Sequence, residues 1–248
     1  MQIPLLSLHG AAVQFGAVRA LDPVDLTVHR GERIALVGAN GSGKTTLLRL
    51  LHGLVPCTLG ERHWHHAPPV LTGPAATPAR RAPPQLAMVF QRPFLLNLSV
   101  RANVSIALWL RGVPAAQRSR SSADALERVG LGALARRPAR SLSGGQQQRL
   151  ALAIATAQTP DILFLDEPTA SLDPGAKREV EALIAQFAAA GLTVVMSTHN
   201  LGQAKRLATR VLYLDRGQIR VDKPVNSFFS DALIADAELF LKGEMPWH

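Results

Sequence analysis

The stretch Gly38-Ala39-Asn40-Gly41-Ser42-Gly43-Lys44-Thr45 constrains this chain more than any other, because of what stands on either side of it. Arg33 to Val37 before it is a short apolar run rich in strand formers, and Thr45 to Leu51 after it opens a helix. The spacing is G-x-x-x-x-G-K-[ST], a loop that cradles phosphate between a buried strand and a helix N-terminus. Free backbone N–H groups and the helix dipole favour anions at such a junction. Glycines at 38, 41 and 43 let the backbone curl with no Cβ in the way. Lys44 is expected to reach β/γ-phosphates as a point charge, and the Thr45 hydroxyl, backed by Thr46, to ligate Mg²⁺. A glycine-rich turn that matched by chance would lack the flanking strand and helix.

A second half-site lies far along the chain. Ile162-Leu163-Phe164-Leu165 reads as a strand buried on both faces, as parallel sheets require, and it ends in Asp166-Glu167-Pro168. Open α/β sheets bind ligands at the carboxyl ends of their strands. Asp166 is expected in the Mg²⁺ shell, and Glu167 as general base for an attacking water. Without the phosphate loop, a solvated acidic turn would be the better reading.

Leu142-Ser143-Gly144-Gly145-Gln146 stands between these two motifs. With it, the chain resembles the ATP-binding subunits of ABC transporters over nearly its whole length. The resemblance implies an α/β fold: a P-loop NTPase of the ABC ATPase type, with a RecA-like core, an antiparallel β-subdomain and an inserted helical subdomain. It implies one nucleotide-binding domain over 1–248, with 1–91 and 158–248 as catalytic core and 92–157 as helical subdomain. Phe15 stands where the family's adenine-stacking aromatic lies; tyrosine is commoner there, and phenylalanine keeps the stacking face. Gln91, in Met88 to Pro93, resembles the glutamine that senses Mg²⁺ and water. Ser171-Leu172-Asp173-Pro174 resembles the loop that crosses the dimer interface, and His199 the switch histidine at the γ-phosphate. In the family Ser143, Gly144, Gly145 and Gln146 act on the nucleotide held by the partner subunit. A helix beginning at Ser143 to Gly145 can face a γ-phosphate in trans. One departure stands out: Ala151-Leu152-Ala153-Ile154-Ala155-Thr156 has isoleucine where the family usually has arginine, which puts a supporting contact of that helix in question.

The length of 248 residues suits one such domain with an inserted lobe and no appended regulatory domain. The 47% hydrophobic fraction is ample for a core. No apolar run approaches the ~18 residues that read as a membrane span, and the N-terminus lacks a signal-peptide pattern, so a soluble chain is expected. Cys57 is the single cysteine, which excludes an internal disulfide and suits a reducing cytoplasm. The net charge of +9 is uneven: residues 100–149 hold nine arginines against Asp124 and Glu127. With no basic patch regularly interleaved with aromatic residues, single-strand nucleic acid has little support, and a solvated surface or membrane proximity remains.

Short strands are expected at Ile3 to Leu8 and Val24 to His29. Pro56 to Pro84, with seven prolines, reads as a surface excursion. His63, His65 and His66 within it lack a completing ligand set apart from Glu61. Further expectations are a strand at Leu86 to Phe90 and a helix over Gly144 to Ala157. Beyond these come a helix from about Ala176 to Ala189, a strand at 193–197 and a helix from Leu201. The chain then closes with a hairpin of Val211 to Leu214 with Gln218 to Val221, and an amphipathic helix near Phe228 to Leu241. Pro93 to Leu96 and Leu98 to Val100 belong either to the lobe's core or to a contact surface for transmembrane subunits.

The resemblance implies an importer ATPase working as a homodimer on ATP and Mg²⁺. Its partners would be transmembrane permease subunits and, indirectly, a periplasmic or surface substrate-binding protein, and its place the cytoplasmic face of the membrane. Ser197 to Arg206, Leu239 to Leu241 and Gly243 to Trp247 are similar to prokaryotic oxyanion uptake systems. They point to tungstate first, then phosphate or molybdate, then polar amino acids. A stand-alone exporter subunit is the alternative. Chromosome-maintenance relatives insert a long coiled coil for which Gly38 and Asp166 are too close, and translation factors carry two cassettes in one chain.

Overall fold

The central sheet is built from strands whose two faces are both buried, which is why their sequences show runs of apolar residues rather than alternation. The computed structural model describes residues 3–65 and 84–230. In chain order it has β1 Pro4–Phe15, β2 Val18–His29, β3 Arg33–Val37, α1 Lys44–His52, β4 Leu59–Trp64, β5 Leu86–Val89, α2 Val100–Leu110, α3 Ala115–Arg128 and α4 Gly144–Ala157. There follow β6 Ile162–Asp166, α5 Pro174–Ala189, β7 Thr193–Ser197, α6 Leu201–Leu207, β8 Arg210–Asp215, β9 Gln218–Pro224 and α7 Val225–Ser230.

Six strands are ordered β5-β6-β7-β3-β8-β9, parallel except for the β8–β9 hairpin at one edge. Alternate residues feed two cores. Ile34, Leu36, Phe164 and Leu212 join α1 and the three-stranded sheet, whereas Ala35, Val37, Leu165 and Met196 join the layer containing α2 to α6. The antiparallel sheet β2-β1-β4 closes over α1, which contacts both sheets. Between β5 and β6, the helices α2, α3 and α4 pack on one another. Ile154 packs against the larger core, so an apolar contact holds α4 where the family usually has arginine. Among the described residues no helix is long and apolar enough to cross a membrane.

Several elements differ from the sequence expectations. β1 and β2 run twelve residues each, because register shifts between Leu8 and Val13 and a positive φ of 53° at Gly10 break the alternation without breaking the pairing. The excursion after Pro56 contains β4, a polar strand whose one partner among the described residues is β1. α5 starts two residues early, with Pro174 in its first turn, where a missing N–H costs nothing. The last helix starts at Val225, and its expected continuation beyond Ser230 lies outside the described residues, as do His66, Leu239 to Leu241 and Gly243 to Trp247.

Candidate functional site

Around the carboxyl ends of β3, β6 and β7, Thr45, Asp166, Ser197, Glu167 and His199 form one chain of contacts, with Lys44 bonded to the loop beside them. The loop after β3 is shaped by its neighbours: a Cβ on Gly38 would lie 2.1 Å from the Leu214 carbonyl oxygen and 2.8 Å from Ser42 Oγ. Only glycine fits so close a backbone approach at φ 150°. Lys44 opens α1 and is buried; its Nζ donates to the Gly38 and Ala39 carbonyls at 2.8 and 2.7 Å. Burial pulls its pKa below the ordinary lysine value, opposed by the charges of Glu167 and Asp166.

Thr45 Oγ1 donates to Asp166 Oδ1 at 2.9 Å, and Ser197 Oγ donates to the same oxygen at 2.7 Å. Ser197 Oγ also accepts the Glu167 N–H at 3.0 Å, and the Ser197 carbonyl lies 3.2 Å from that nitrogen. These contacts hold Glu167 at φ 45°, a left-handed conformation costly for a non-glycine residue and characteristic of functional sites. His199 Nδ1 lies 3.1 Å from Glu167 Oε2. A carboxylate only accepts, so Nδ1 carries the proton in this contact. Ser197 is the residue that motif reading missed.

The remaining expected residues are placed differently. Gln91 is exposed two residues past β5, the neighbour of β6. Asn40 and Gly41 are exposed, and Thr46 is half-buried in the first turn of α1. Phe15 is 54% exposed at the β1–β2 turn, paired with Val18, and nearby Ala20 approaches Gly43. Ser143, Gly144, Gly145 and Gln146 start α4 beside Leu172 and Ala176, and among the described residues no hydrogen bond joins them to the phosphate loop. Ser143 and Gln146 form a capping box: Ser143 Oγ accepts the Gln146 N–H at 3.3 Å, and Gln146 Oε1 accepts the Ser143 N–H at 3.0 Å. A Cβ on Gly145 would lie 2.6 Å from Ala176 Cβ, so this helix start is fitted to α5.

The residues present suit a metal nucleotide. Ser42 Oγ is buried with no hydrogen-bond partner among the described residues, an orphan that a phosphate oxygen would satisfy. Thr45 and Asp166 offer hard oxygen donors side by side, the donor type that Mg²⁺ takes.

Residues 21–170 match the family model described as ABC transporter. The chain is 37% identical to the phosphate import ATP-binding protein PstB 2 of Natronomonas pharaonis, over 97% of this chain and 87% of that protein. It is 32% identical to the glutamine transport ATP-binding protein GlnQ of Geobacillus stearothermophilus, over 96% and 98% of the two chains. With the methionine import ATP-binding protein MetN of Brucella abortus the identity is 36%, over 92% of this chain, which spans 62% of the length of that relative. Among solved structures, the ATP-binding cassette MJ0796, a dimer in a post-hydrolysis state bound to ADP and Pi, superposes with a TM-score of 0.73. The identity there is 26%, over 89% of this chain and 99% of that one. A triphosphate loop, an acidic strand end and a capped glycine pair thus meet on a fold shared with these proteins. The chain belongs to the ABC transporter family, as an ATP-binding subunit that hydrolyses ATP.

Proposed function

We propose that this chain powers import of a small solute by hydrolysing ATP at sites shared between two copies, with an oxyanion of the tungstate, molybdate or phosphate class as cargo. The contact chain from Thr45 through Asp166, Ser197 and Glu167 to His199, beside a buried Lys44, carries the reading. Lys44 and the loop N–H groups hold the β/γ-phosphates, the Lys44 ammonium leaving its two loop carbonyls for phosphate oxygens, while Phe15 stacks on the base. Glu167 takes a proton from the attacking water as the water oxygen bonds to the γ-phosphorus and the bond to the β-phosphate oxygen breaks. His199, held on Glu167, keeps that carboxylate oriented and faces the phosphate, and Gln91 reaches the same region from β5. Thr45, Asp166 and Gln91 would hold Mg²⁺, which supplies charge neutralisation on the phosphate oxygens. Ser143 Oγ accepts its cap bond and so keeps its own proton free for a phosphate oxygen of the other copy.

Permease subunits would hold the pair at the inner membrane face, with a substrate-binding protein delivering cargo to them from outside. The likeness to a phosphate import protein over 97% of the chain supports the oxyanion class. The likeness to the glutamine and methionine proteins supports a second reading, amino-acid import. Uptake of tungstate, molybdate, phosphate, glutamine and methionine in a strain lacking this subunit tests both. Loss of one oxyanion, restored by the wild-type chain and not by Glu167→Gln, is expected; loss of an amino acid alone selects the second reading. In purified form Glu167→Gln is expected to bind ATP, to lose turnover and to accumulate as a dimer by gel filtration. Normal turnover in that variant removes Glu167 from the role of base.

A further inference from the structure

Behind the site, side chains from the segment after β6 and from two helices meet in a buried polar cluster. Gln203, on α6, is 0% exposed, and its Nε2 donates to Thr169 Oγ1 at 2.9 Å and to Glu181 Oε1 at 3.2 Å. Glu181, on α5, is buried and receives Arg206 on both oxygens: Nε meets Oε2 at 3.0 Å, and Nη2 meets Oε2 at 2.8 Å and Oε1 at 3.0 Å. Thr169, also buried, lies two residues beyond Glu167. The Gln203 N–H is taken by Asn200 Oδ1 at 2.9 Å, which closes the first turn of α6 onto the residue after His199.

The cluster therefore ties together the same two segments that meet again at His199 and Glu167. Apolar packing alone would hold α6 against α5, but it tolerates small slides and rotations. Hydrogen bonds from one buried amide to two fixed acceptors do not, since they weaken steeply with angle. Buried polar groups cost solvation unless paired, so such a cluster is expensive as mere filler. Groups that carry out chemistry must be held to within fractions of an ångström, by neighbours whose own rotamers are locked.

We propose that Gln203, bonded to Thr169 and to the Glu181 carboxylate that Arg206 grips, is a positioning residue for hydrolysis: it fixes the His199 segment at the register where the histidine ring meets Glu167. This rests on the assignment of Glu167 and His199 to the hydrolytic step. Gln203→Leu removes both bonds while filling the same space. It is expected to lower kcat for ATP about 10-fold while KM stays within about twofold, because the phosphate loop is untouched. In protein carrying ¹⁵N-labelled histidine, the His199 ring signal, identified by its loss in His199→Ala, is expected to move, with the His9, His29 and His52 signals unchanged.

Arg206→Lys keeps a cation on buried Glu181 but gives up the grip on both oxygens; it is expected to lower kcat about threefold and to shift the same signal in the same direction. This variant carries the test should Gln203→Leu not fold. A kcat within twofold of wild type in the folded Gln203 variant, or an unmoved His199 signal, overturns the assignment. Full activity in both Glu167→Gln and His199→Ala overturns the hydrolytic roles themselves, and with them this inference. Loss of activity in those two with full activity in Gln203→Leu and Arg206→Lys overturns the positioning role alone.

Discussion

Asp166 Oδ1 accepts two hydroxyl donors, one from the phosphate loop and one from the end of β7. Thr45 is visible in a motif, whereas Ser197 ends an apolar run and carries no signal of its own. Only the parallel pairing that sets Asp166 beside Ser197 brings these two residues together, and spacing along the chain cannot reveal it. Ser197→Ala takes a donor from Asp166 and one of two acceptors from the Glu167 N–H. Charge-assisted bonds of this kind are worth about 1.5–3 kcal/mol, so kcat is expected to fall about 10-fold or more in a steady-state ATPase assay. An unchanged rate would mean that Thr45 alone orients the carboxylate. The glycines of the loop separate by the same close reading. Gly41→Ala, at φ 79° with nothing within 4 Å, is expected to cost about 1–2 kcal/mol for the left-handed backbone alone. Gly38→Ala drives a Cβ into the Leu214 carbonyl and is expected to cost more than about 4 kcal/mol in urea denaturation. Equal costs would show that β8 yields.

At the scale of elements, the parts of the fold legible in sequence are those where one physical signal acts alone. β3, β6 and β7 show as apolar runs because both faces are buried, whereas α4 is expected from the resemblance carried by Leu142 to Gln146, its capping box emerging only in the structure. β4 did not show, because Leu59 to Trp64 is polar and largely exposed and takes its conformation from β1. The full lengths of β1 and β2 were hidden by register shifts that spoil a period of two. Helix starts gather the candidate chemistry: Ser143 caps α4, Asp173 caps α5 and Asn200 caps α6. The Asp173 carboxyl is held below its ordinary value by the N–H groups of Ala176 and, more weakly, Gly175. Its folded pKa being lowered, the stabilisation is present above the unfolded value of 3.8 and lost as pH falls through the lower folded value. Asp173→Ala is therefore expected to melt below wild type at neutral pH, the gap closing in thermal scans as pH falls below the ordinary carboxylate range. A gap that persists in acid would assign the loss to packing rather than to the cap.

For the whole molecule, what matters is that no hydrogen bond among the described residues joins the two halves of the proposed site within one chain. Lys44 and Glu167 line the carboxyl ends of the sheet, whereas Ser143 caps a helix start fitted to Leu172 and Ala176, without a bond to the phosphate loop among the described residues. On the proposed reading, a lone chain offers a phosphate loop without an α4 start to face it, and an α4 start without a phosphate. Two copies related by a two-fold axis supply both deficits at once, since an isologous pair presents each patch to the other. This arrangement makes a prediction that no single variant can. Lys44→Ala spoils the phosphate loop and keeps the start of α4; Ser143→Arg does the reverse. Each alone is expected to be inactive. Mixed in equal amounts, half the pairs are heterodimers, and each holds one site with both halves intact beside one with neither. If sites fire independently, ATPase activity is expected to recover to about a quarter of wild type, rising with total protein concentration as pairing demands. Recovery to that level would place Ser143 in trans, as the α4 start suggests. No recovery, with both variants folded and heterodimers verified by tagged pull-down, would mean either that both sites must be whole for one to turn over or that Ser143 serves its own chain. Titrating wild type with the Ser143→Arg variant separates the two. Activity lost in proportion to the square of the wild-type fraction marks obligate coupling, and simple dilution marks a site completed within one chain.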